Sequence, residues 1–132
     1  MIKEFIVCIV SIIIIITGNI LTQNYTNSFV SNISNKLENL RETIAQKNEN
    51  EIDKQKAKEQ IDDIFNCWND NYVDLAYFIE HDELEKVITN LTELRTNMQE
   101  KQFSEATVSL DKAVYVLGHI QNKIELKLEN IF

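Results

Sequence analysis

The first 22 residues constrain this chain more than any other segment. Phe5 to Ile16 is apolar except for Ser11, and the apolar character extends to Leu21 without a proline. As a helix, this run would be roughly 26 Å long, at the short end of what crosses the hydrocarbon core of a bilayer. The sequence therefore predicts a transmembrane anchor over residues 1–22, followed by one domain over residues 23–132.

The polar residues after the apolar run favour an uncleaved anchor. A signal peptide would end in small residues of the Ala-x-Ala kind, and only Gly18 offers a weak candidate for cleavage, which remains the alternative. Lys3 precedes the run, and the next basic residue after it is Lys36. Because positive charge favours the cytoplasmic side, we expect a single-pass protein of the cell membrane with a cytoplasmic N-terminus and an extracytoplasmic domain.

The composition of the domain favours helices and disfavours nucleic acid as a partner. Glycine occurs twice and proline not at all, whereas tight turns between strands depend on these residues. The net charge is -8, and the anchor contributes nothing to it because its Lys and Glu cancel. A nucleic-acid-binding face would be basic, so we expect none, and charge alone does not attract the domain to an anionic lipid surface.

Apolar residues recur at helical spacing in four segments after the anchor. These segments run over Phe29–Ile44, Ile61–Ile79, Leu84–Met98 and Phe103–Ile131. The short connections between them make neighbouring helices antiparallel. We therefore predict an all-α fold in which a transmembrane helix precedes an antiparallel bundle of about four helices, built from two helical hairpins.

The polar segments between these stretches predict where helices begin and end. We expect a short break between the anchor and the first bundle helix near residues 22–27, and a second break at Lys47–Asn50. Asp82 followed by Glu85 resembles a capping box, so Asp82 is the predicted N-cap of the third helix. Ser104 is a candidate cap for the fourth.

A faint internal repeat relates the two predicted hairpins. Leu37–Arg41 resembles Leu91–Arg95, and the spacing of Ala57, Ile61 and Asp62 matches the spacing of Ala106, Leu110 and Asp111. Two similar hairpins also allow a tetratricopeptide-like stack as an alternative to a closed bundle. The two hairpins could also be similar only because helices share an amino-acid composition, without an internal repeat.

The chain resembles a family of small membrane proteins from Gram-positive, mostly spore-forming anaerobes, domain-of-unknown-function family 4363. The resemblance lies in the N-terminal anchor, the aromatic-rich helix around Trp68, the segment Phe78–Leu84 and the terminal segment Leu128–Phe132. It covers nearly the whole chain. It implies a helical fold and a membrane location, and it implies no activity.

Four adjacent polar residues form the best candidate site, namely Glu80, His81, Asp82 and Glu83. A histidine among carboxylates can bind a divalent metal ion or move a proton. The alternative is a polar helix connection in which His81 bonds locally. Cys67, His81 and His119 would form a zinc site only if the fold brought them together, and since they lack zinc-motif spacing we predict no metal and no cofactor.

A second candidate is an apolar interaction surface formed by Trp68, Tyr72 and Phe132. Aromatic residues at helical spacing usually belong to the core, and an exposed share of them would bind a partner. The apolar C-terminal end is expected to pack on the bundle, with a docking peptide as the alternative.

The sequence contains no catalytic signature. Phosphate-binding loops, nucleotide motifs and Ser/His/Asp arrangements are absent from it. The leading hypothesis is therefore a non-enzymatic adaptor or accessory domain that binds a protein partner, which could itself be a membrane protein. The alternative hypothesis is an extracytoplasmic ligand or metal sensor.

Overall fold

The longest element, helix α1, joins the apolar run to the bundle without interruption. The computed structural model describes residues 1–45 and 48–131, and α1 covers Ile2–Ile44. The predicted break near residues 22–27 was wrong. No glycine or proline lies in that segment, and Thr26 is already buried against the bundle, with its hydroxyl donating to the Thr22 carbonyl at 3.0 Å. Burial of this turn keeps the helix intact.

Three further helices complete the described part of the chain. A short 3-10 turn at Glu49–Glu51 is followed by α2 at Lys54–Leu75, α3 at His81–Gln99 and α4 at Phe103–Ile131. The described residues contain no strand. This arrangement confirms the predicted all-α class and the predicted number of bundle helices, with the second half of α1 serving as the first of the four.

Helix starts differ from the prediction at two of the three bundle junctions. Asp53 caps α2, where its carboxylate accepts a hydrogen bond from the Lys56 backbone N–H at 3.0 Å. The predicted cap Asp82 was wrong, because Glu80 holds the N-cap position of α3 and makes no side-chain cap. Ser104 also lies inside the first turn, since α4 begins at Phe103.

The bundle helices follow one another around a closed ring. α1 packs on α2 and on α4, and α3 packs most extensively on α4. α2 and α3 approach each other over a smaller area, where the Arg95 guanidinium lies over the Phe65 ring. The two predicted hairpins are thus α1–α2 and α3–α4, and they close on each other through α1 and α4. This cyclic order differs from the open hairpin stack that the repeat allowed as an alternative.

One core runs through the bundle and stops short of the apolar run. Its fully buried large side chains are Trp68, Ile33, Leu37, Leu40, Ile64, Leu75, Leu84, Leu91, Leu94, Leu110, Leu117 and Ile120. None of the most apolar window of α1 is buried against the rest of the chain. Among the described helices, α1 alone is long and apolar enough to cross a membrane. An apolar surface of this extent is typical of an interaction with lipid or with another protein.

Candidate functional site

The predicted polar turn divides between two environments. Glu83 is only 6% exposed and faces α4, where its carboxylate forms an ion pair with Lys123 Nζ at 2.8 Å. His119 Nε2 lies 3.6 Å from the same carboxylate, and Glu80 reaches Lys123 at 3.4 Å. His81 is exposed and lies 3.0 Å from Glu85 on its own helix.

This division argues for a junction between helices and not for a metal centre. The Lys123 ammonium occupies the position between Glu80 and Glu83, and the hydrogen bond that it donates to Glu83 raises the pKa of Lys123 above its ordinary value. His81 and Asp82 do not join this cluster. Within residues 1–45 and 48–131, no three His, Cys, Asp or Glu side chains are placed to hold a metal ion, and the fold does not bring Cys67, His81 and His119 together.

The aromatic stripe of α2 belongs to the core. Trp68 is 0% exposed, and its ring centroid lies 6.1 Å from that of Phe29 on α1. It was therefore wrong to place Trp68 on an interaction surface, because α2 has one apolar face and that face is buried. Tyr72 is half-buried and packs against the same core, and Phe132 lies outside the described residues.

A cleft opens at the end of the bundle where α1 leaves the apolar run. This basal cleft has a volume of about 440 Å³. It lies between α1, the α2–α3 turn and the last part of α4, and it is lined by Asn19, Thr22, Gln23, Thr26, Tyr77, Phe78, Ile124, Lys127 and Asn130. The buried Oε1 of Gln23 has no hydrogen-bond partner there. The basal cleft thus combines exposed aromatic rings with polar side chains.

A second cleft opens at the opposite end of the bundle. This distal cleft has a volume of about 220 Å³ and an apolar floor made by Ile61, Met98 and Phe103. The exposed residues Lys54, Lys58 and Lys101 also line it and form its lysine rim. None of these three lysines forms an ion pair with another side chain that the structure describes. The distal cleft is therefore cationic in a chain whose net charge is -8.

Asp62 and Arg95 form the remaining wall of the distal cleft. The Arg95 guanidinium lies 3.2 Å from the Asp62 carboxylate and 4.9 Å from the centroid of the Phe65 ring. The positive charge of Arg95 and the negative charge of Asp62 therefore cancel. The positive charge beside the cleft that no carboxylate pairs with accordingly comes from the three lysines.

The backbone holds Lys101 in an uncommon conformation at the edge of this cleft. Lys101 has φ of 59°, the left-handed region, and is the only described non-glycine residue with positive φ. The Gln102 N–H donates to the Asn97 carbonyl at 2.8 Å, and the Lys101 N–H donates to the Met98 carbonyl at 3.2 Å. These two bonds form the Schellman motif that ends α3, a position that glycine usually fills.

Neither cleft was predicted from the sequence, although each left a signal in it. Three lysines at every second position, Lys54, Lys56 and Lys58, open a helix in an acidic domain. Tyr77 and Phe78 are adjacent aromatic residues in a turn, where solvent exposure is the rule. Neither signal shows by itself which helices meet beside these residues.

Comparison with known proteins identifies the family of the chain. No curated protein and no solved structure matches it. Residues 20–131 match the family described as Domain of unknown function (DUF4363). The match begins where the apolar run ends, so the bundle carries the likeness. Since the match covers most of the chain, this protein belongs to the DUF4363 family.

Proposed function

We propose that this protein is a non-enzymatic, membrane-anchored interaction module that binds a protein partner at the outer face of the cell membrane. The apolar half of α1 would cross the bilayer once, with the N-terminus in the cytoplasm. The exposure of that half supports this placement, because the hydrocarbon core of a bilayer suits an apolar helical surface of this length. Lys3, on the N-terminal side of the run, supports the orientation.

The distal cleft is the observation that carries the binding role. It joins an apolar floor to a lysine rim, which is the arrangement of a small interface with a central anchor and a polar edge. A partner segment in which an apolar side chain is flanked by carboxylates would fit it. The acidic remainder of the bundle would repel such a segment, and so it would direct the segment to the cleft.

The unbroken α1 supports this role by fixing the position of the cleft. From Leu21 to Ile44, an α-helix rises about 35 Å, so the distal end of the bundle would lie at about that height above the end of the apolar run. A flexible linker would leave this height undefined. A continuous helix instead presents the cleft at a fixed distance from the membrane, where a second membrane protein could meet it.

Affinity purification of the tagged full chain from crosslinked native membranes tests this function. We expect a stoichiometric protein partner with the natural sequence and its loss with the double substitution Lys54→Glu and Lys58→Glu. Lys56→Glu is the matched control, because Lys56 lies on the same helix and outside the distal cleft. Recovery of no partner, or equal recovery with the double substitution, would contradict the proposal.

The orientation has a separate test. Asn50→Cys places a thiol on an exposed residue at the distal end, in a chain from which Cys8 and Cys67 have been removed. An impermeant thiol reagent should label this residue in intact cells. Labelling only after lysis would place the bundle in the cytoplasm.

A further inference from the structure

We infer that the α2–α3 turn is a second membrane contact, in which Tyr77 and Phe78 lie in the interfacial layer of the same bilayer that α1 crosses. The inference rests on the proposed span of α1. It goes beyond that span because it concerns the bundle itself, and it assigns a lipid surface to residues that the binding role does not use.

The height of the turn follows from its place across the basal cleft from α1. Tyr77 and Phe78 share the walls of the basal cleft with Asn19 and Thr22. Both of these α1 residues lie within about 3 Å of Leu21 along the helix axis, at the end of the apolar run. Because α1 continues through this point without a break, a bilayer that surrounds the apolar run would end at the level of the turn.

The exposed side chains of the turn suit an interfacial layer. Tyr77 is 77% exposed and Phe78 is 43% exposed, and their ring centroids are 6.2 Å apart. Leu21 on α1 is also largely exposed at this level. Tyrosine and tryptophan gather at the boundary between lipid headgroups and hydrocarbon, where the ring is buried while its polar group stays hydrated. Phenylalanine and leucine side chains are buried at the same boundary when a segment lies on the membrane surface.

The polar groups of the basal cleft suit the same environment. The polar side chains of Asn19 and Thr22 line the cleft together with Lys127, which is exposed. Interfacial water can bond to exposed polar groups of the cleft, and the phosphate of a lipid headgroup accepts hydrogen bonds from a lysine ammonium. Since aromatic burial and not net charge drives the contact, it should form on zwitterionic lipid as well as on anionic lipid.

A second contact would fix how the bundle stands on the membrane. A single helix leaves rotation about its own axis free, whereas contact at the α2–α3 turn would bring one side of the bundle to the surface. The distal cleft, at the other end of the same closed bundle, would then face a defined direction.

Depth-dependent fluorescence quenching tests the inference on the full chain in phosphatidylcholine vesicles. Single-tryptophan proteins are made in a Trp68→Phe background with Phe78→Trp, with Ile12→Trp as a reporter of the span, and with Val108→Trp as the control. Val108 is exposed and lies about 24 Å along α4 from Ile124, which lines the basal cleft. Brominated lipids place the quencher either near the headgroups or near the bilayer centre.

We expect Phe78→Trp to lose emission mainly to the shallow quencher, Ile12→Trp mainly to the deep quencher, and Val108→Trp to neither. The same result should follow when phosphatidylglycerol is added. Quenching of Ile12→Trp without quenching of Phe78→Trp would overturn the inference and leave the span intact. If Ile12→Trp is not quenched, the span fails and the inference fails with it. If Trp68→Phe unfolds the bundle, the three reporter tryptophans are placed in the chain that retains Trp68. The emission of the chain with Trp68 alone, measured with each quencher, is then subtracted.

Discussion

The guanidinium of Arg41 on α1 contacts the carboxylate of Asp111 on α4. Arg95 on α3 makes the corresponding contact with Asp62 on α2, at 3.2 Å. Each arginine ends a Leu-x-x-Leu-Arg segment, and each aspartate follows an alanine by five positions. The residues that repeat between the two hairpins therefore pair crosswise, the arginine of one hairpin with the aspartate of the other.

The crossed pairs should contribute modestly to stability. All four side chains are partly exposed, and such pairs typically contribute about 0.2–1 kcal/mol. We expect a coupling energy in this range for Arg41→Ala and Asp111→Ala in a double-mutant cycle measured by urea unfolding. Arg95→Ala should cost more than Arg41→Ala, because Arg95 also covers the Phe65 ring. A coupling energy of zero would show that the Arg41 pair does not hold the hairpins together.

Trp68 should act on stability and not on binding. Trp68→Ala leaves a large cavity in the core, so we expect a loss of about 3–5 kcal/mol in the free energy of unfolding. Trp68→Phe should cost much less, because the indole N–H has no hydrogen-bond partner to lose. Chemical denaturation followed by circular dichroism measures both. The exposed Tyr115→Ala is the control, and its stability should change little.

The ion pair of Lys123 with Glu83 predicts a loss of stability in alkaline solution. Its hydrogen bond raises the pKa of Lys123 in the folded protein, so the folded state holds this proton more tightly than the unfolded chain. The stabilisation is thus complete below the ordinary lysine pKa of about 10.4 and disappears as pH rises through the higher folded pKa. Lys123→Met should flatten this part of the stability profile.

The alkaline experiment needs a background without Cys67. Burial raises the pKa of the Cys67 thiol, which adds a loss of stability of the same sign at lower pH. Thermal unfolding is therefore compared, from neutral pH upward, between Cys67→Ala and the double variant Cys67→Ala with Lys123→Met. The difference between the two profiles is the contribution of Lys123. Identical slopes above the ordinary lysine pKa would contradict the assigned role of Lys123.

Substitution of Lys101 by glycine should raise the stability of the bundle and weaken the binding of the partner. Glycine adopts positive φ without a Cβ penalty, so Lys101→Gly is expected to stabilise the bundle by about 1 kcal/mol. The same substitution removes one ammonium from the rim of the distal cleft and should weaken partner recovery. Thermal unfolding and crosslinked purification of the same variant provide the two measurements. Partner recovery that matches the natural chain would remove Lys101 from the binding surface.

The cap of α2 offers a test with a built-in comparison. Asp53→Ala removes the hydrogen bond to the Lys56 N–H and should cost about 1 kcal/mol. Asp82→Ala removes no cap, because Asp82 lies inside the first turn of α3, and it should cost less. Urea unfolding compares the two variants. An equal cost would mean that Asp82 stabilises α3 as strongly as a cap.

The sequence by itself determined that the chain is helical and which apolar faces its helices bury, but not where each helix begins and ends. Leu37, Leu40, Leu91 and Leu94 were predicted as apolar faces from spacing alone, and all four are buried. Helical periodicity and burial depend on neighbours within a few turns, so a linear pattern records them. The same holds for the apolar run at the N-terminus, whose length and composition need no tertiary contact to be recognised.

Only the tertiary structure decided which side chains meet across helices. Glu83 contacts Lys123 on α4, whereas its sequence neighbours His81 and Asp82 do not, because successive residues of a helix point in different directions. The distal cleft likewise unites Lys54, Lys101 and Phe103 from the ends of different helices. The register between packed helices follows from the shape of the whole core, which no local pattern encodes. That register is what places the lysine rim at one end of the bundle and the aromatic turn at the other.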